Sequence, residues 1–216
     1  MTVIKRTELE ALPSRYRAQF VNSLSGYKSA NLVGSANPQG QPNLALVSSV
    51  VHLGADPALL AHVTRPHTVP RHTLENIEAT RVYTYNAVTC QMVPQAHHSA
   101  AKFAREVSEF ENVGLTPEYH PNFAAPAVVE SPLSIGMELL ELVPIKHNGT
   151  LLVIGQICWV KYPQAALHSD GHLDISKLDL TAISGLDHYH SIASVGRLSY
   201  PEVEHPPTPL KLDKLP

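Results

Sequence analysis

Cysteine is scarce in this chain. Cys90 and Cys158 are the only two among 216 residues. That is too few for a disulfide framework, and both fall in apolar, strand-like stretches where buried free thiols are expected. Charge is thin as well. Asp, Glu, Lys and Arg make up 16% of the chain, and the formal net charge is -3 with His neutral. Lys and Arg form no dense cluster, so the electrostatic footprint of a nucleic-acid binder is absent. No apolar run reaches the ~18 residues of a membrane span. The start, Met1 to Arg17, has no apolar signal core, so a cytoplasmic protein is expected. Nor is there a P-loop, a Gly-rich dinucleotide fingerprint or a usual metal-ligand spacing.

What is present is punctuation. Eighteen Pro and eleven Gly cut the chain into short pieces, while 44% hydrophobic residues supply a core. That combination suits a β-barrel better than a helix bundle. Thirteen His make the net charge sensitive to pH between 7 and 5. No internal repeat is visible.

Read along the chain, residues 7–24 are helical, with capping-box spacing from Thr7 to Glu10. Pro13 divides them into two short helices. Phe20, Val21 and Leu24 give the second an apolar face for packing against a barrel end. Residues 28–36 and 43–52 form a hairpin around Asn37-Pro38-Gln39-Gly40, which is turn chemistry. A turn over Gly54–Pro57 leads to the strand "LLAHVTR". Residues 73–79 are a short helix that Thr73 can cap. "RVYTYNAV" returns as a strand. Residues 94–112 are a helical excursion with a second capping-box spacing, Ser108 to Glu111. Two long strands then flank Asn148-Gly149, the strongest short hairpin signal. Residues 164–190 are irregular, with a turn at Asp170-Gly171 and a short element from Asp174. "ASVGRLSY" is a last strand, and the tail from Pro201 is extended, lying over a neighbouring subunit or disordered. Strands so spaced predict a mainly β, antiparallel Greek-key barrel with a few peripheral helices. The organisation is a helical segment over 1–24, a barrel domain over 25–200 and a Pro-rich tail over 201–216.

Three segments carry a resemblance. Asn31 to Asn86 runs as strand, tight turn, two strands, an Arg- and Thr-rich loop, short helix and strand. "HHSAAKFAREVSEFENVGLTP" ends in an aromatic residue and then "GLT". "NGTLLVIGQI" is followed by "ISGLDHYHSIASVGRLSYP", with a Tyr and then Gly-Arg. In that order and spacing the chain resembles the flavin reductase-like family of FMN-binding split β-barrels.

The resemblance implies a fold and a site. Val47, Ser48, Ser49 and Val50 are the strand end that binds FMN through main chain and hydroxyls. Arg65, Thr68, Arg71, His72, Thr73 and Asn76 match the phosphate loop. Ser99 and Lys102 match the flavin's far edge, and Tyr189 falls close to the flavin or the nicotinamide pocket. It further implies a homodimer with FMN at the interface and NAD(P)H as electron donor. The acceptor is a partner monooxygenase or another oxidant. The loop "TRPHTVPRHTLENI" departs from the family pattern in being longer and more basic.

Elementary chemistry points the same way, less sharply. A phosphate dianion needs a guanidinium, hydroxyls and backbone N–H groups at a helix N-terminus. Arg65, Thr68, Arg71 and Thr73 supply them just ahead of the helix, with Arg65 the first choice because it ends a strand. The plain alternative is a solvated loop with an ordinary N-cap. Ser48 and Ser49 suit a barrel mouth as well as a ring-binding strand end. His97, His98, Lys102 and Arg105 form either a solvated helix face or positive charge near the flavin's N1/C2 edge. His188 and His190 share a strand face, but no third metal ligand is evident by spacing. Trp159 packs inside its strand. Two other functions remain open: an FMN-binding electron carrier without nicotinamide activity, and a barrel without flavin that binds another small ligand, or a metal through its His.

Overall fold

The computed structural model describes residues 1–66 and 68–210. Two helices come first, α1 (Arg6–Ala11) and α2 (Ser14–Ser23), split by Pro13 as expected. The cap differs from the expected one: the backbone N–H of Lys5 donates to Glu8 at 2.7 Å, while Glu10 pairs with Arg6. The apolar face of α2 also differs. None of its residues is buried, and Val21 and Leu24 stand exposed.

Strands β1 (Lys28–Ser29), β2 (Asn31–Ala36), β3 (Pro42–Val47), β4 (Val51–Ala55) and β5 (Ala58–Thr64) follow. The turn between β2 and β3 closes through a Gly40 N–H to Asn37 carbonyl bond of 2.9 Å, with Gly40 at φ +81°. That conformation is cheap only for glycine. Then come α3 (His72–Thr80), β6 (Val82–Ala87), α4 (Val93–His98), α5 (Glu109–Val113), and the short β7 (Pro117–Glu118) and β8 (Ala127–Val128). The long hairpin β9 (Ser134–Ile145) and β10 (Thr150–Lys161) turns at Asn148-Gly149, where Gly149 takes φ +73°. Strands β11 (Thr181–Ser184) and β12 (His188–Ser191) complete the set.

Seven strands make the main sheet in the order β3-β2-β6-β9-β10-β5-β4, every neighbouring pair antiparallel. Its two edges, β3 and β4, are consecutive in sequence, so the sheet curls and its ends meet at residues 48–50. The fold is a mainly β split barrel. Alternation along β2 serves two cores, which is why all six of its residues are buried. Val33 faces the barrel interior with Leu74, Ile77, Tyr83, Tyr85, Met137, Leu139 and Val153. Leu32 faces outward, joining Leu44, Val88, Met92, Phe110, Val128 and Ile183 under α4 and α5.

Several sequence-based expectations are corrected here. The excursion over 94–112 is two helices, because the Ser99 hydroxyl bonds back to the Ala96 carbonyl at 2.7 Å and α4 ends at His98. Ser108 flanks α5 but makes no side-chain cap. The stretch 164–190 contains β11 and part of β12, which join β1 in a separate three-stranded sheet. The strand expected at "ASVGRLSY" does not form. Gly196 takes φ +113°, and Leu198 makes only an isolated bridge to Pro209 in the exposed tail. The tail's last six residues lie outside the described residues. Neither thiol is buried: Cys90 is half-exposed and Cys158 exposed.

Candidate functional site

The site grows from the seam of the barrel. At Ser48–Val50 the chain leaves β3 before entering β4, so these backbone groups lie outside the ladder. Ser49 Oγ donates to the Val63 carbonyl at 3.1 Å and accepts from the Val63 N–H at 3.0 Å. One hydroxyl thus clasps the end of β3 to β5, two residues before Arg65. Val47, Ser48, Ser49 and Val50 are half-buried.

Beyond β5, Arg65 and Thr68 are exposed and Arg71 is half-buried. The chain turns here because the Arg71 side chain reaches back to the Pro66 carbonyl, Nε to O 3.4 Å. Arg71 takes the N-cap position of α3 without a side-chain cap, and its N–H donates to Glu75 Oε1 at 2.9 Å. Glu75 is in turn ion-paired with Arg105. A helix start leaves N–H groups without intrahelical partners. Two exposed or half-exposed guanidiniums and the Thr68 hydroxyl therefore surround a region of positive potential.

Thr73 and Asn76 behave differently from the loop residues. Thr73 is inside the helix rather than its cap, and its Oγ1 accepts from Asn43 Nδ2 at 2.8 Å. Asn76 Nδ2 donates to Ser35 Oγ at 3.2 Å, and Asn43 Nδ2 reaches the same oxygen at 3.3 Å. This network pins α3 onto β2 and β3 and fixes where the helix N-terminus points. His72 lines a narrow polar recess with Asn37, Gln41, Asn43, Arg105 and Glu109. Glu109 accepts the Leu44 N–H of edge strand β3 at 3.2 Å, and burial pushes its carboxyl above the usual range. Ser35, Asn43 and Glu109 were not singled out from sequence. The available signal is a polar residue interrupting an apolar strand, at Ser35 in "NLVGSA".

The remaining candidates gather at α4. Ser99 is buried and its hydroxyl is spent on Ala96, whereas Lys102 is exposed. Tyr189 packs against the core cluster that also holds Leu46, next to Val47, and its hydroxyl lies 3.0 Å from His97 Nδ1. Burial raises the Tyr189 phenol pKa. His188 and His190 share the face of β12 with ring centroids 4.1 Å apart. Among the described residues no three His, Cys, Asp or Glu converge as a metal site.

The structure therefore brings Val47–Val50 beside the start of the Arg65–His72 loop, and Tyr189 beside His97 of α4. It turns Thr73, Asn76 and Ser99 inward. A ligand that offers a flat polar ring to strand backbone and an anionic group to Arg65, Thr68 and Arg71 fits this arrangement.

Residues 24–176 match the sequence model of the flavin reductase like domain. An uncharacterized protein of Aquifex aeolicus (strain VF5) is 30% identical over 122 residues, 56% of this chain and 61% of that protein. This match thus spans under two thirds of that relative's length. A split-barrel protein assigned as a flavin reductase, from Shewanella frigidimarina NCIMB 400, superposes with a TM-score of 0.90 at 45% identity, covering 93% of this chain and 100% of that one. Nitrilotriacetate monooxygenase component B from Bacillus cereus gives 0.80 at 17% identity, covering 92% of this chain and 98% of the other. The last likeness speaks for the fold alone.

Proposed function

We propose an NAD(P)H-dependent FMN oxidoreductase: the chain belongs to the flavin reductase-like domain family, as the match over residues 24–176 establishes. The observation that carries the reading is the Ser49–Val63 clasp. It sets a strand end with unladdered backbone against the start of a basic loop at a helix N-terminus. FMN has those two ends, a ring system and a phosphate dianion. Arg65, Thr68 and Arg71 would hold the phosphate by charge-assisted hydrogen bonds. Residues 47–50 would hold the ring or ribityl chain through backbone and the Ser48 hydroxyl. Lys102 would bias the ring edge towards the reduced anion. When bound, the flavin supplies the two-electron chemistry. The protein's share is anchoring, orientation and charge, so no side chain is assigned as an acid or base.

Arg105 has a second use. By pairing with Glu75 it neutralises a carboxylate in the first turn of α3, which would otherwise repel a phosphate there. Replacing Arg105 by Ala is expected to weaken FMN binding while leaving riboflavin binding unchanged, as read by quenching of flavin fluorescence.

A homodimer is part of the proposal. Val51, Leu53 and Val63 are exposed on β4 and β5, directly beside residues 48–50. A second copy seated there would cover them and one side of the flavin. The acceptor is proposed to be a partner monooxygenase or another oxidant. The test is anaerobic: the visible spectrum of the FMN-loaded protein before and after NADH or NADPH. Bleaching of the flavin bands is expected. Bound flavin that neither donor bleaches would make the protein an electron carrier, and failure to bind flavin would overturn the reading.

A further inference from the structure

A second cleft lies at the other end of β10. It encloses about 350 Å³ between Glu118, Tyr119, His120, Ala127, Trp159 and Lys161. That falls within the range of small-molecule sites, about 300–1,000 Å³. Thr64 pairs with Leu151 at the start of β10, and Lys161 pairs with Ser134 at its end. At about 3.3 Å per residue, the cleft is roughly 30 Å from the basic loop of the same chain.

Its floor is built to present a flat ring. The Trp159 indole lies against Gly136, where a Cβ would come within 2.2 Å of Nε1 and Cε2. Phe123 meets the indole edge-on, with centroids 5.4 Å apart and planes at 79°. The indole also carries the His120 ring, stacked at 5.0 Å and 16°. His120 is a loosely held occupant: it is exposed, and its Nδ1 lies 3.2 Å from the adjacent Pro121 carbonyl. At the rim, Lys161 and Glu118 form an ion pair, with side chains 40% and 44% exposed. The pair sets a donor beside an acceptor, and an ammonium with three protons has donors to spare.

We propose that this cleft binds a planar heteroaromatic ring carrying an amide edge, the ring replacing His120 on Trp159 and the amide meeting Lys161 and Glu118. The amide carbonyl accepts from Lys161, and its N–H donates to Glu118. Stacking on the indole selects flat rings over saturated ones. The site stands apart from the flavin reading and does not depend on it.

Trp159 is the single tryptophan, so its indole N–H gives one peak in a ¹H–¹⁵N spectrum. The probe is nicotinamide, with cyclohexanecarboxamide as the control that keeps the amide but not the flat ring. A saturable shift of the indole peak is expected with nicotinamide and none with the control. His120→Ala, which clears the indole face, is expected to tighten binding several-fold. Lys161→Met is expected to weaken it roughly tenfold. His120 is exposed and Lys161 half-buried, and circular dichroism checks that both variants fold. Saturating FMN is expected to leave the nicotinamide shift intact. The proposal is overturned by no saturable shift up to the probe's solubility, by equal shifts from both amides, by indifference to Lys161→Met, or by loss of the shift with FMN.

Discussion

At the residue scale His62 is held tightly. It is buried in the barrel, 3% exposed, with Nδ1 2.6 Å from the Tyr85 hydroxyl, and Tyr83 and Tyr85 meet it edge-on. Burial lowers its pKa from 6.5 to about 4. The unfolded chain therefore takes up this proton near pH 6.5 while the folded chain refuses it. The stability involved is complete above pH 6.5, is lost as pH falls, and levels off near 4; its size is about 3 kcal/mol. Urea midpoints across pH 7.5 to 4.5 should fall accordingly, and His62→Gln should flatten much of that slope. A slope unchanged by His62→Gln would show that other groups set it. Residues also show what one-dimensional reading misses. Thr73 and Asn76 were legible as polar residues at a helix start. Their true partners, Asn43 and Ser35, lie 30 and 41 positions upstream. Local spacing cannot reveal a pairing made by sheet curvature. Asn43→Ala should strand the Thr73 hydroxyl, while Ser35 keeps Asn76, and cost about 1–3 kcal/mol in unfolding experiments.

At the scale of elements, the seam and the long hairpin decide the barrel. Ser49→Ala removes both hydrogen bonds to Val63. It is expected to destabilise the fold by about 1–2 kcal/mol and to weaken FMN and riboflavin alike, because the clasp positions the whole strand end. Selective loss of FMN binding alone would contradict that role. Gly155 is a packing requirement. A Cβ there would stand 2.3 Å from the Tyr83 hydroxyl and 2.9 Å from the Glu138 carbonyl. Gly155→Ala should therefore lower thermal stability by about 1–3 kcal/mol, the usual cost of overpacking. The β9–β10 hairpin was plain in the sequence because Asn148-Gly149 is a local signal and both strands are long. The break after α4 was not. Residues 99–107 have helix-forming composition, and only the Ser99 hydroxyl turning back on Ala96 shows where the helix stops. Likewise "ASVGRLSY" has strand composition, but β12 already fills the place beside β11, and the segment pairs only with residues 208–210 of the exposed tail through the Leu198–Pro209 bridge.

At the scale of the whole molecule, barrel and site are legible to different depths. The succession of short antiparallel strands follows from turn residues and apolar runs, so the fold class could be read directly. The meeting of residues 47–50 with residue 65 could not, because it depends on closure of the sheet at Ser49. The proposed homodimer is tested at the seam, where Val51, Leu53 and Val63 are exposed: if two copies meet there, replacing Val51 and Leu53 by Glu should convert the dimer to a monomer in light scattering and weaken flavin binding. A variant that stays dimeric would place the interface elsewhere. The most direct test of the flavin site compares FMN with riboflavin, which lacks only the phosphate, on the purified protein and on Arg65→Ala by fluorescence titration. FMN should bind at least about tenfold tighter than riboflavin, and Arg65→Ala should remove most of that difference, as expected for a charge-assisted contact of about 1.5–3 kcal/mol. Equal affinity for the two flavins, or a preference for FMN untouched by Arg65→Ala, would contradict the assignment of the phosphate to this loop.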